Sequence, residues 1–227
     1  MLPKQKSILL PAYCCFILIF SFIPFARSQE QTEKANTTPI GVELLLSNRG
    51  ATFQSIVNKS FRSLPRLGFF GVTNFVAEWR TNQLSDYMTQ GSLSFQVYKG
   101  FNLNAGFHLS NATGVRPSLG LMYSFADKTW LVVINPRIDI FRNANAEGLL
   151  LAEYKPQLKP DLQLYSRVQL LYGETIRLGL HARSYFTGRL GVSWKEFTLG
   201  AGTSIDYYGP ERQNFNSYGV FLAVQLF

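Results

Sequence analysis

The stretch Ser217-Tyr218-Gly219-Val220-Phe221-Leu222-Ala223-Val224-Gln225-Leu226-Phe227 decides the fold. A strand projects alternate side chains to opposite faces, so Tyr218, Val220, Leu222, Val224 and Leu226 share one apolar face. The same period-two pattern recurs about every 10–15 residues back to about residue 40, with Arg, Asp, Gln and Asn on the second face. An apolar exterior around a polar interior is the pattern of an all-β, transmembrane, antiparallel up-and-down β-barrel.

Working back from that stretch, the clearest segments lie in the middle of the chain. Trp130, Val132, Ile134, Pro136, Ile138 and Ile140 oppose Asn135, Arg137 and Asp139. Leu162, Leu164, Val168 and Leu170 oppose Gln163, Tyr165, Arg167 and Gln169, while Phe186, Leu190, Val192 and Trp194 oppose Arg183, Tyr185, Thr187 and Arg189. Phe197, Leu199, Ala201 and Ile205 oppose Gly200, Gly202, Ser204 and Asp206. Strands are expected at 40–48, 51–61, 66–79, 87–98, 101–110, 116–125, 129–142, 147–156, 162–172, 183–194, 197–208 and 216–227. That makes twelve strands, or ten if the irregular first two are not strands; Val42 to Leu46 is mixed and 51–61 has no clean phase. Pro136 lacks an N–H for the ladder and is expected to mark a bulge or kink. Connections alternate between short and longer ones, as inner turns and outer loops do in such barrels. Phe101, Trp130, Tyr154, Trp194 and Phe197 flank the short turns, where an aromatic girdle would sit.

The N-terminus reads as a processing segment. Lys4 and Lys6 precede the apolar run Ile8 to Phe25, and Ala26-Arg27-Ser28 offers small residues before a cut at Gln29. The expected organisation is a signal peptide over 1–28, a periplasmic segment over 29–39 and an outer-membrane barrel over 40–227. Both cysteines, Cys14 and Cys15, fall in the signal, so the mature chain would have neither disulfide nor thiolate metal ligand. Removing Lys4, Lys6 and Arg27 would lower the net charge from +8 to +5. For an exported chain that excess points to lipid phosphates or an anion-favouring lumen, and not to nucleic acid.

Signal, alternating strands and terminal Phe227 together resemble a bacterial outer-membrane β-barrel protein. Arg183-Ser184-Tyr185 leading into 188–194, and Asp206-Tyr207-Tyr208-Gly209-Pro210, resemble small barrels of Bacteroidota. The resemblance implies localisation in the cell outer membrane, contact with its lipids and lipopolysaccharide, and insertion by the barrel-assembly machinery. There is one departure. The usual insertion signal keeps its apolar stripe in phase with the final aromatic, whereas Gln225 and Ala223 occupy that phase here.

The inward phase gathers Arg116, Arg137, Lys155, Arg167, Arg183 and Arg189 against Glu78, Asp139, Glu153 and Asp206, with Gln169 among them. A lumen lined this way is either a narrow, wet, mildly cationic porin-like channel for small solutes or a closed interior filled by salt bridges, as in an envelope scaffold. Inward Gly106, Gly120, Gly200 and Gly202 would open local space. The one catalytic candidate is His108-Leu109-Ser110-Asn111-Ala112, where His108 and Ser110 share a face as base and nucleophile. It resembles the His-x-Ser-Asn-Ala of outer-membrane lipid A deacylases, which implies a lipid A deacylase or phospholipase-type hydrolase as the alternative function. That family also carries a Glu on the next strand, and 112–125 contains no acid. Two separated His residues, His108 and His181, make no metal cluster, and no cofactor motif is present.

Overall fold

A computed structural model describes residues 39–80 and 84–227, with side chains in the second part described from Asp86 onward. The expected signal peptide, and the segment after it up to residue 38, lie outside the described residues. Thirteen strands form one antiparallel sheet: β1 (Ile40–Ser47), β2 (Gly50–Phe61), β3 (Leu64–Glu78), β4 (Leu84–Tyr98), β5 (Phe101–Ser110), β6 (Gly114–Ala126), β7 (Trp130–Asp139), β8 (Asn145–Tyr154), β9 (Gln157–Lys159), β10 (Leu162–Thr175), β11 (Leu180–Trp194), β12 (Phe197–Tyr208) and β13 (Gln213–Leu226). Each strand pairs with the next except at β8, which pairs directly with β10, and the three-residue β9 hangs on the start of β10. β1 pairs with β13 from Ile40↔Leu226 to Ser47↔Gly219, which closes the sheet into a twelve-stranded barrel and leaves no open edge. The irregular segments 40–48 and 51–61 are therefore both strands.

The lipid-type surface follows the alternation. Leu44, Leu46, Leu93, Phe95, Leu103, Leu119, Leu121, Ile138, Val168, Leu190, Leu199, Val220 and Leu222 are all exposed on the outside. Ten residues at about 3.3 Å each, tilted by about 45°, span roughly 23 Å, which matches the apolar band of such barrels. Phe101, Trp130, Tyr154, Trp194 and Phe197 are exposed beside the turns at the end that carries Ile40 and Leu226. Here rings couple across strands, Phe101 with Tyr123 at 4.7 Å and Trp130 with Tyr154 at 4.5 Å. We call this the girdle end, and its opposite the distal end.

Two expectations change. Pro136 introduces no bulge: β6 and β7 keep one register from Ser118↔Asp139 to Ala126↔Leu131, and the ladder lacks only the pairs of Leu121 and Met122. A proline removes a ladder bond without needing an extra residue. Nor do the inward glycines open space. A Cβ on Gly200 would meet the Leu190 carbonyl oxygen at 2.2 Å, and one on Gly202 would meet Arg189 Cδ at 2.8 Å. These positions are small because backbone and the Arg189 stem already occupy the room.

At the girdle end the turn after β6 is capped by Asp127, whose Oδ1 accepts the N–H groups of Thr129 and Trp130, each at 2.7 Å. The Trp130 and then the Thr129 hydrogen bond hold this carboxyl below its ordinary range. The cap is present above the ordinary carboxylate pKa and is lost as pH falls through the lowered one. The protection of the Thr129 and Trp130 amides, taken relative to intrinsic exchange at each pH, should therefore fall at acid pH in the native protein, and in Asp127→Ala should be low at every pH.

Candidate lumen and its charged tie points

Side chains on the second face of each strand meet in the barrel interior, and most of the polar ones are paired. Glu43 on β1 is 4% exposed. Its Oε2 accepts from Arg167 Nη2 at 2.6 Å and its Oε1 from Arg189 Nε at 2.8 Å. Arg189 also donates through Nη1 to the carbonyls of Gly188 and Thr203, whereas Arg167 Nε has no hydrogen-bond partner. Beside them Glu153 accepts from Tyr165 Oη at 3.0 Å and pairs with Lys155 at 2.7 Å. Nearer the distal end Arg137 bridges Asp139 and Glu147, both at 2.6 Å, and Arg116 approaches Asp139 at 3.7 Å.

At the distal mouth Arg183 grips Asp206 with two bonds of 3.0 Å, and its Nη2 lies 3.3 Å from Asp86. Tyr208 closes the group by donating to Asp86 at 2.5 Å. β11 and β4 stand six strands apart in the ring of twelve, so the Arg183–Asp86 contact joins opposite walls. Gln169 donates to Tyr185 Oη at 2.6 Å. Every expected lumen residue, Arg137, Asp139, Glu153, Arg167, Gln169, Arg183, Arg189 and Asp206, thus sits among interior contacts. Sequence reasoning missed Glu43, Asp86, Glu147 and Arg49. With them, nine ion pairs join seven cations to seven acids among the described residues.

The interior also holds apolar side chains. Phe70, Val72, Met122, Val133 and Leu151 form one buried cluster, flanked by Ile56, Met88 and Leu131. Leu45, Tyr165, Phe221 and Ala223 form a second, with the Arg189 guanidinium 5.8 Å from the Phe221 ring centre. What space remains includes cavities of about 50 Å³ and 20 Å³. Met88, Gln169 and Tyr185 border both of these. Such volumes hold a few water molecules.

The His108–Ser110 pair is not assembled. His108 is buried in the interior with Nδ1 unpartnered, and Ser110 Oγ instead bonds Thr113 Oγ1 at 2.7 Å. His181 makes closer contacts, Nε2 to Ser184 Oγ at 2.9 Å and Nδ1 to the Gly209 carbonyl at 2.7 Å. A carbonyl only accepts, so Nδ1 carries the proton and the ring pins the turn after β12 to the start of β11. Among the described residues no group of acidic or His side chains is arranged to hold a metal ion.

These features define a closed twelve-stranded barrel with an apolar outside and a largely polar, charge-paired inside. No protein-family model matches the sequence, and none of the curated proteins compared with it matches. Among solved structures, the chain is similar to the KdgM porin at 14% identity and a TM-score of 0.47, covering 83% of this chain and 99% of that one. It is similar to the NanC porin at 11% identity and a TM-score of 0.44, again over 83% and 99%. Outer-membrane expressed OmpT of Vibrio cholerae follows at 9% identity and a TM-score of 0.37, over 78% of this chain and 65% of that one. These are likenesses of fold.

Proposed function

We propose that the protein is an outer-membrane barrel working as a narrow porin-like channel for small solutes. One observation carries this reading: a closed wall, apolar towards lipid, surrounds an interior of Arg, Asp, Glu, Gln and Asn side chains. A polypeptide does not bury this many charges without a use for a polar interior, because desolvation alone disfavours them. On the same reading the chain is exported by a cleaved signal over 1–28 and inserted by the barrel-assembly machinery. Outer-membrane lipids and lipopolysaccharide then surround its apolar band. Pairing of the interior cations with acids leaves at most a mild anion preference.

The purified full-length protein in planar bilayers tests the proposal. Small unit conductances in KCl, with a reversal potential close to zero or slightly anion-selective, are the expected result. Silence of a folded, heat-modifiable sample would remove the channel. An envelope scaffold is the second reading, favoured by the Arg183–Asp86 contact that crosses the lumen. The hydrolase alternative needs His108 to activate Ser110, whose hydroxyl bonds Thr113 Oγ1 instead.

A further inference from the structure

The apolar cluster is the feature that a polar lumen does not need. Phe70 and Val72 project from β3, Met122 from β6, Val133 from β7 and Leu151 from β8. β3 and β8 are five strands apart in the ring of twelve, so the cluster reaches from one wall nearly to the opposite one. None of these five faces lipid, and all are 8% exposed or less. Polar side chains border it on the same inner surface: Phe70 is opposite Asn58 and Ser92, and Leu151 is opposite Gln169, while Ile56, opposite Val72, extends the apolar patch.

The cluster sits in the half of the barrel towards the girdle end, Val133 and Leu151 each lying three residues from that end of β7 and β8. On its distal side the smaller cavity is bordered by Val72 together with Gln90, Asn135, Arg137, Glu147 and Gln169. Asn135 Nδ2, Gln169 Oε1 and Thr187 Oγ1, all on the cavity linings, are buried with no protein partner. Buried polar atoms of this kind are satisfied by water, so the lumen is wettable down to Val72. Past Val72 the five apolar side chains themselves offer water no partner, and the polar groups at that level, Ser92, Ser94 and Asn104, come from β4 and β5. The rest of the cross-section is closed beside them by the Glu43–Arg167–Arg189 group, with Arg167 opposite Glu153, two residues along β10 from Gln169.

We propose that the layer formed by Phe70, Val72, Met122, Val133 and Leu151 determines what crosses the barrel, by acting as a wetting barrier to hydrated ions and polar solutes. An apolar constriction stops ions because a hydrated ion cannot shed its water there, and passage begins when the constriction fills with water. The charged ring then orients solutes and the apolar layer admits or refuses them. This rests on the channel reading above.

Isosteric polar substitution separates the layer's chemistry from its shape. Val72→Thr and Val133→Thr keep the β-branched outline and add one hydroxyl each. In planar bilayers the double variant of the full-length protein should raise mean conductance at least several-fold over the native protein, whereas Val72→Ile with Leu151→Met should leave it equal or lower. Leu151→Asn gives the same readout if the double variant does not fold, with heat-modifiability as the check on folding. Native conductance that the folded Thr and Asn variants leave unchanged would overturn the barrier and keep the channel. A measurable native conductance that rises in the folded polar variants supports the barrier, and a silent native protein overturns the channel reading on which it rests. Silence in every folded variant would overturn both.

Discussion

Glu43→Ala should destabilise the barrel by about 3–5 kcal/mol, the usual cost of leaving a buried ion-pair partner uncompensated. Glu43 is the shared acceptor of two guanidinium groups, at 2.6 Å and 2.8 Å, and its side chain is 5% exposed. The two arginines would not suffer equally. Arg189 keeps the Gly188 and Thr203 carbonyls, while Arg167 loses its one hydrogen-bonded acid and already has an unpartnered Nε. Arg167→Met alone should therefore cost less than Glu43→Ala, since Glu43 keeps Arg189. The triple variant Glu43→Leu, Arg167→Met, Arg189→Met should recover most of the loss, because apolar side chains of similar volume replace buried ion groups with little penalty. Urea unfolding of the folded protein in lipid, followed by tryptophan fluorescence, measures the three variants against the native protein. A loss below about 1 kcal/mol in Glu43→Ala, the range of exposed pairs, would show the group to be solvated.

Glu43 also shows where the sequence was readable and where it was not. The lipid face announces itself, because hydrocarbon tolerates almost nothing but apolar side chains and the period-two stripe survives in nearly every strand. Twelve strands, the closing stretch at Val220 and Leu222 and the girdle at Trp130 and Tyr154 were legible for that reason. The interior obeys no such filter. Leu45 shares the inner face with Glu43, so the segment from Val42 to Leu46 looked mixed; the outer stripe there is Leu44 and Leu46. Ile56 blurred 51–61 in the same way. Period two puts Val133 in phase with Asn135 and Leu151 in phase with Glu153, but it says only which side chains share a face and not what fills the space between walls. Phe221 is the clearest instance. It shares the phase of the terminal Phe227, yet it is fully buried inside.

Pairing across the barrel was invisible for a second reason: it depends on the register of strands far apart in sequence. Glu43 and Arg167 are separated by 124 residues, and Tyr208 and Asp86 by 122. Counting interior charges from phase alone found six cations and four acids. Among the described residues, acids from β1, β4 and β8 meet arginines from β7, β10 and β11, and three of those acids, Glu43, Asp86 and Glu147, were outside that count.

Arg183→Met should produce the second large effect, again about 3–5 kcal/mol. The guanidinium holds Asp206 with two parallel bonds, lies 3.3 Å from Asp86 on the opposite wall, and stacks 4.5 Å from the centre of the Tyr208 ring. Its removal leaves two carboxylates facing each other with Tyr208 Oη as their one shared donor. Like charges then push apart the walls that Arg183 joined, so the distal mouth should widen as stability falls. Arg183→Lys should rescue poorly, because a single ammonium cannot reproduce the planar fork on Asp206. Adding Asp86→Asn and Asp206→Asn to Arg183→Met should restore most of the stability by removing the repulsion. Spin labels at Arg80 and Leu178, both exposed on the distal turns that lead into β4 and β11, report the mouth through their distance distribution. It should broaden and lengthen in Arg183→Met and return in the triple variant. If stability falls while the distribution stays native, Arg183 acts only as a local partner of Asp206 and ties nothing across the lumen.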